Sequence, residues 1–138
     1  MITFRKEKKI FQVEFYKKQN GKAPVLEFLN ALPDKLRAKA FRDIELLEIC
    51  GNNLKEPHTK ALKGKNNKGL YELRIKFSSD TVRIFYFMYI DNKYILLHGF
   101  VKKAMKIPET ELAKARQYRD DYLRRNGSWA KQASLLKK

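Results

Sequence analysis

The chain is short of acid. Its 138 residues carry 15 Asp and Glu against 31 Lys and Arg, a formal charge of +16 at pH 7. A surface so unbalanced repels itself on compaction and points to a polyanionic partner: nucleic acid, an anionic membrane or an acidic protein. Cysteine is almost absent. Cys50 stands alone, so no intrachain disulfide can form. Placed at the end of an apolar helical stripe, it reads as a core thiol rather than a nucleophile. Long hydrophobic runs are missing as well. The most apolar stretch, Ile84 to Ile90, is too short to span a bilayer. The basic stretch Met1 to Lys9 is not followed by the apolar segment and small-residue site of a secretory signal. The expectation is a cytoplasmic protein with no membrane association. Histidine is confined to His58 and His98, and no cluster of His, Cys, Asp and Glu has metal-ligand spacing, so neither a metal site nor a cofactor is expected.

What is present is enough apolar material for one folded domain: 43% hydrophobic and 12% aromatic residues. Ile10 to Tyr16 is aromatic and β-branched and predicts a first strand. Pro24 suits a helix start, and Val25, Phe28, Leu29 and Leu32 then form one stripe. After Pro33 a second helix places Leu36, Ala40, Phe41, Ile44 and Leu47 on one face, with Gly51 as its stop. Asn52 to Lys68 reads as a polar, lysine-rich loop. Three strands follow, over Gly69 to Phe77, Thr81 to Ile90 and Lys93 to Val101, and Pro108 opens a last helix that ends at Asn126-Gly127. The predicted class is α+β in the order β-α-α-β-β-β-α: an antiparallel meander with two N-terminal helices on one face and a C-terminal helix. Residues 1–126 form the expected domain, and residues 127–138 a basic tail, docked or mobile.

Two-residue turns at Ser78-Ser79 and Asp91-Asn92 would set the register, which a bulge would change. Tyr71 then lies opposite Tyr86, Leu73 opposite Ile84 and Ile75 opposite Val82, with Ile95, Leu97 and Val101 on the same apolar face. The other face carries Glu72, Arg74, Lys76, Thr81, Arg83, Phe85, His98, Phe100 and Lys102. On it Arg74 stands directly opposite Arg83, and like charges so placed destabilise a ladder. A phosphate between the two guanidiniums would relieve the repulsion, while exposed Phe85 and Phe100 would offer stacking surfaces for unpaired bases. The same pattern also admits a plain solvated face on which Arg83 pairs diagonally with Glu72. The residues leave both readings open.

The runs GLYELRIKF, TVRIFYF and ILLHGFVKKAMKIPETELAKA, with PVLEFLNALP upstream, resemble the phage-associated, HigB-like branch of the RelE/ParE toxin superfamily, from about Phe11 to Tyr122. The resemblance implies the α+β fold just described and a ribosome-dependent messenger-RNA endoribonuclease acting in the A site. It also implies a neighbouring helix-turn-helix, HigA-like antitoxin, through which alone operator DNA would be bound. By position, the cationic residues that serve in place of a histidine pair map onto Arg74, Arg83, Lys102 and Lys103. The chain departs from RelE-like toxins at Glu72, where they carry a basic residue, and in lacking a counterpart to their catalytic tyrosine in the last helix.

Metal-free RNA cleavage needs a base for the ribose 2′-hydroxyl, cations for the phosphorane and an acid for the leaving 5′-oxygen. Arg83 and Arg74 are the expected phosphate ligands. Lys103 and His98 are candidates for proton transfer, although a lone His on a strand is more often a hydrogen-bonded structural residue. Lys63, Lys65, Lys68, Lys76 and Lys102 are expected to meet RNA phosphates, though a lysine-rich loop is often only solvated. The competing functions are a ParE-like gyrase inhibitor on the same fold and an RNA-binding module that blocks without cutting.

Overall fold

A computed structural model describes residues 10–90 and 92–127, so the tail from Ser128 lies outside the described residues. Its elements are β1 (Gln12–Phe15), α1 (Pro24–Asn30), α2 (Asp34–Cys50), β2 (Thr59–Ala61), β3 (Leu70–Phe77), β4 (Asp80–Tyr89), β5 (Lys93–Val101) and α3 (Glu109–Asn126). One five-stranded sheet has the order β1-β5-β4-β3-β2. The α+β class and the β3-β4-β5 meander stand as read from the sequence. Two features differ. β1 pairs with β5 in parallel, so the sheet is mixed. Thr59–Ala61, inside the expected polar loop, pairs antiparallel with β3; three residues among lysines carry too little alternation to register as a strand.

Prolines set the helix entries. Pro24 sits in the first turn of α1, and Pro33 and Pro108 precede the first residues of α2 and α3. There the missing amide costs nothing, because the first N–H groups of a helix lack intrahelical acceptors anyway. Gly51 closes α2 at φ 54°, and a Cβ there would lie 2.0 Å from the Phe11 ring. Both the backbone conformation and the packing therefore require glycine.

The β3–β4 register is the predicted one, with Arg74 opposite Arg83 and Leu73 opposite Ile84 across the Ser78-Ser79 turn. Between β4 and β5 the prediction holds from Val82 opposite Val101 to Phe85 opposite His98. It then slips by one at a bulge beside Phe85 and Tyr86, so that Tyr86 faces Leu96. Tyr89 rather than Ile90 faces Lys93, so the expected two-residue connection is not the one formed. The slip reverses the faces predicted for Ile95 and Leu97. They join Phe85 and Phe87 on one side, while Tyr94 and Leu96 go to the other. Such a bulge puts two successive residues, Leu97 and His98, on one face.

Both faces are covered. α1 and α2 bury Val25, Leu29, Leu36, Ile44 and Leu47 against Leu73, Ile75, Val82 and Ile84. α3 lies over β5 and the adjoining part of β4, where Ala115 and Tyr122 pack with Phe85, Phe87, Ile95 and Leu97. Each such aliphatic side chain, fully buried, contributes roughly 1.5–3 kcal/mol. The sheet is thus the middle layer of three, and the face expected to be open is closed over half its width.

Gly99 faces α1 so closely that a Cβ would sit 2.7 Å from Phe28 Cδ2. Gly99→Ala should destabilise the fold by about 1–3 kcal/mol through overpacking. Urea unfolding checks this, and pairing the change with Phe28→Leu should recover part of the loss.

Candidate functional site

α3 covers β5 and part of β4 but leaves the β3–β2 side of its own face uncovered. Across that uncovered side two rows of residues run from strand to strand. One contains Lys60, Glu72, Phe85 and His98; the next contains Arg74, Arg83 and Phe100. Lys102 begins a third place on the same face, its backbone N–H donating to the Thr81 carbonyl at 2.8 Å.

Glu72 organises these rows. Its side chain is 2% exposed, and its Oε1 accepts from Arg74 Nε and from Arg83 Nη1, each at 2.7 Å. The charge conflict between Arg74 and Arg83 is therefore answered by a buried carboxylate within the chain, as the diagonal-pair reading supposed, and needs no phosphate for its relief. The arrangement remains incomplete: Glu72 Oε2 and Arg83 Nε are buried without hydrogen-bond partners. Burial lowers the Arg83 pKa, Glu72 opposes that shift and Arg74 adds to it. Lys102 is shifted down as well, first by burial and then by the Arg83 charge, with Glu72 pulling the other way and Arg74 and Lys60 adding to the loss.

Two concavities meet at Arg74. A groove of about 510 Å³ has Glu72 and Arg74 on its floor, Lys60, Lys63, Lys102 and Lys106 as cations, and Leu62, Met105, Ile107 and Leu112 as an apolar wall. Met105 is 98% exposed. A notch of about 420 Å³ lies where β3 runs on past the end of β2 and is lined by Lys39, Asp43, Pro57, His58, Arg74, Ile75, Lys76, Thr81 and Arg83.

The expected site residues are thereby sorted. Arg74, Arg83 and Lys102 come together, Lys63 lines the groove, and Lys76 lines the notch. Lys103 is exposed and lines neither. Lys65 and Lys68 lie elsewhere, in a depression beside Arg119 of α3. Phe85 and Phe100, expected as exposed stacking platforms, are 0% and 7% exposed under α3. The amphipathic last helix needs an apolar surface to cover, and these rings supply it. His98 is buried with them. Its Nε2 lies 2.8 Å from Glu111 Oε1, and the ring stacks on Phe100. Burial lowers its pKa from 6.5, with Glu111 opposing the shift. Sequence reasoning missed Glu72 as the anchor, Lys60 and Lys106 in the groove, and Glu111 as the partner of His98. Only Glu72 had left a signal, in its diagonal placement beside Arg83.

Among the described residues, no group of three or more His, Cys, Asp and Glu side chains is placed to hold a metal ion. No helix of the described residues is long and apolar enough to cross a membrane.

The site is thus a buried carboxylate with two arginines beside two cation-lined concavities on a small α+β domain. Residues 27–120, more than half of the chain, match the family described as phage derived protein Gp49-like (DUF891). The chain belongs to that family, a family of RelE-type toxins commonly found in toxin–antitoxin pairs. A search of curated proteins found no match.

Removing one partner from a buried ion pair strands the other, at a typical cost of about 3–5 kcal/mol. Glu72→Gln keeps the shape and removes the anion between the two guanidiniums, so it should destabilise by that order. Adding Arg83→Met should return much of the loss, since an apolar side chain needs no counter-charge. Denaturant unfolding of the two single variants and the double variant checks the coupling.

Proposed function

We propose that this protein is the toxin of a toxin–antitoxin pair and cleaves messenger RNA on the ribosome, close in type to HigB-like toxins. The observation that carries the proposal is the pairing of Arg74 and Arg83 on one buried carboxylate, with Glu72 and Arg74 on the floor of a cationic groove and Arg83 lining the adjoining notch. A phosphate oxygen is the acceptor that suits guanidinium donors held in this way.

Glu72 holds both guanidiniums in place before substrate arrives, so their charge is organised in advance for the phosphorane. The ribose 2′-oxygen attacks the adjacent phosphorus and the bond to the 5′-oxygen breaks. The products are a 2′,3′-cyclic phosphate and a 5′-hydroxyl. Lys102 is the proton donor to the leaving oxygen: burial and the neighbouring arginines loosen its proton. Leu62, Met105, Ile107 and Leu112 give a base an apolar wall to rest on. The groove is open on one side, so alignment comes from the ribosomal A site, and free RNA is a poor substrate. The chain's +16 charge suits ribosomal RNA and equally an acidic surface on a helix-turn-helix antitoxin.

Arg74 is the safer residue to remove, because its side chain is 28% exposed and Arg83 remains to neutralise Glu72. Arg74→Ala should lower cleavage of translated messages on the order of 100- to 1,000-fold and abolish growth arrest, with the melting curve near that of the wild type. Primer extension on messages from expressing cells reads the cuts, and co-purified antitoxin should suppress them. A folded Arg74→Ala protein that cuts at the wild-type rate removes the assignment. Inhibition of supercoiling without any cuts moves the reading to a ParE-like gyrase inhibitor.

A further inference from the structure

The mechanism above leaves one role unfilled, the acceptor for the 2′-hydroxyl proton. That group must be able to stand neutral near neutral pH, which sets aside the guanidiniums. Glu72 is committed to both arginines through Oε1. Of the two imidazoles in the chain, His98 is buried under α3 against Glu111. The other is His58, in the segment before β2. In the structure it is half-buried and lines the notch with Arg74 and Arg83. Its position is fixed by the sheet, because the Arg74 backbone N–H donates to the His58 carbonyl at 2.7 Å. Its ring has no hydrogen-bond partner among the described residues, which leaves both nitrogens available to a ligand.

The two concavities share Arg74; the notch also holds His58 and Arg83, and the groove holds Lys102. An in-line displacement at phosphorus needs its entering and leaving oxygens on opposite sides, with a base at one and an acid at the other. We propose that His58 is the general base of the cleavage, and that the notch receives the ribose on the 5′ side of the cut while the groove receives the 3′ side. This rests on the ribonuclease reading above. His58 takes the 2′-hydroxyl proton as the O2′–P bond forms; Lys102 gives a proton to the 5′-oxygen as the P–O5′ bond breaks. The charges facing His58 come from each neighbouring element. α2 offers Lys39 and Asp43, already paired with each other at 2.8 Å. β3 and β4 offer Arg74, Lys76 and Arg83. Its own segment offers Lys55, Glu56 and Lys60, the last two 4.0 Å apart. The cations there hold the phosphate and the acids are engaged, so imidazole is the group left to accept the proton.

The test is single-turnover cleavage of ribosome-bound message as a function of pH, with His58→Gln, His58→Ala and Arg74→Ala beside the wild type. The wild-type rate should rise with pH as the general base is freed to accept a proton. His58→Gln should lose that rising limb and about 100- to 10,000-fold in rate. Free imidazole should restore part of the rate to His58→Ala, a rescue that a purely structural role would not show. Arg74→Ala should be slow but keep the limb. A defective Arg74→Ala alongside a His58→Gln with wild-type rate and limb overturns the role of His58 and leaves the ribonuclease reading standing. Absence of cutting by the wild type on ribosomes overturns both. Should His58→Gln fold poorly, imidazole rescue of His58→Ala decides: rescue supports the assignment and its absence overturns it.

Discussion

One buried carboxylate holds two opposed guanidiniums. Arg74 and Arg83 face each other across a β-ladder, a placement that repulsion would normally forbid. Glu72 makes it tolerable by accepting from both on a single oxygen. A buried ion triad of this kind is poor evidence of added stability, because desolvation offsets most of the attraction. Its value lies in position. It fixes two charge-bearing forks, Arg74 on the floor of the groove and both lining the notch, and leaves Arg83 Nε without an internal partner.

The layering then decides what that constellation can meet. α3 lies over β5 and part of β4, so Phe85, Phe100 and His98 become core, and only the β3–β2 side remains a floor. β2 starts only at Thr59, opposite Leu73, so β3 runs on with no strand partner on that edge from Arg74 and opens the notch there. A short edge strand and a helix set to one side therefore shape both concavities. Lysines from the loop before β3 and from the segment before α3 supply the remaining charge. Three acids at or near these concavities are engaged within the fold. Glu72 holds the arginines, Asp43 holds Lys39, and Glu111 holds His98.

Much of this was readable in the residues. Prolines and apolar stripes marked the helices, and strict alternation around Ser78-Ser79 gave the β3–β4 register with Arg74 opposite Arg83. The β4–β5 pairing failed halfway, because a bulge inserts a residue without changing composition. That slip, with the position of α3, hid the burial of Phe85 and Phe100: alternation assigns residues to faces but cannot say which face a distant helix will cover. β2 was invisible because its three residues are specified by pairing to β3 rather than by their own pattern. His58 and Lys60 entered the site through that same tertiary pairing, whereas Arg74 and Arg83 lay on strands and Lys102 just past the end of one, so that they could be placed from sequence.

The account rests on chemistry in which the RNA supplies its own nucleophile at the phosphate held by Arg74 and Arg83. The direct measurement is cleavage of a ribosome-bound message carrying a single 2′-deoxy substitution immediately 5′ of the mapped cut, beside the all-ribose message, with the termini analysed. Loss of cutting at that position alone, and a 2′,3′-cyclic or 3′-phosphate end on the all-ribose product, is the outcome this site requires. Undiminished cutting of the deoxy message, or a 3′-hydroxyl end, means that another nucleophile does the work and that the Glu72-held arginines serve some other purpose.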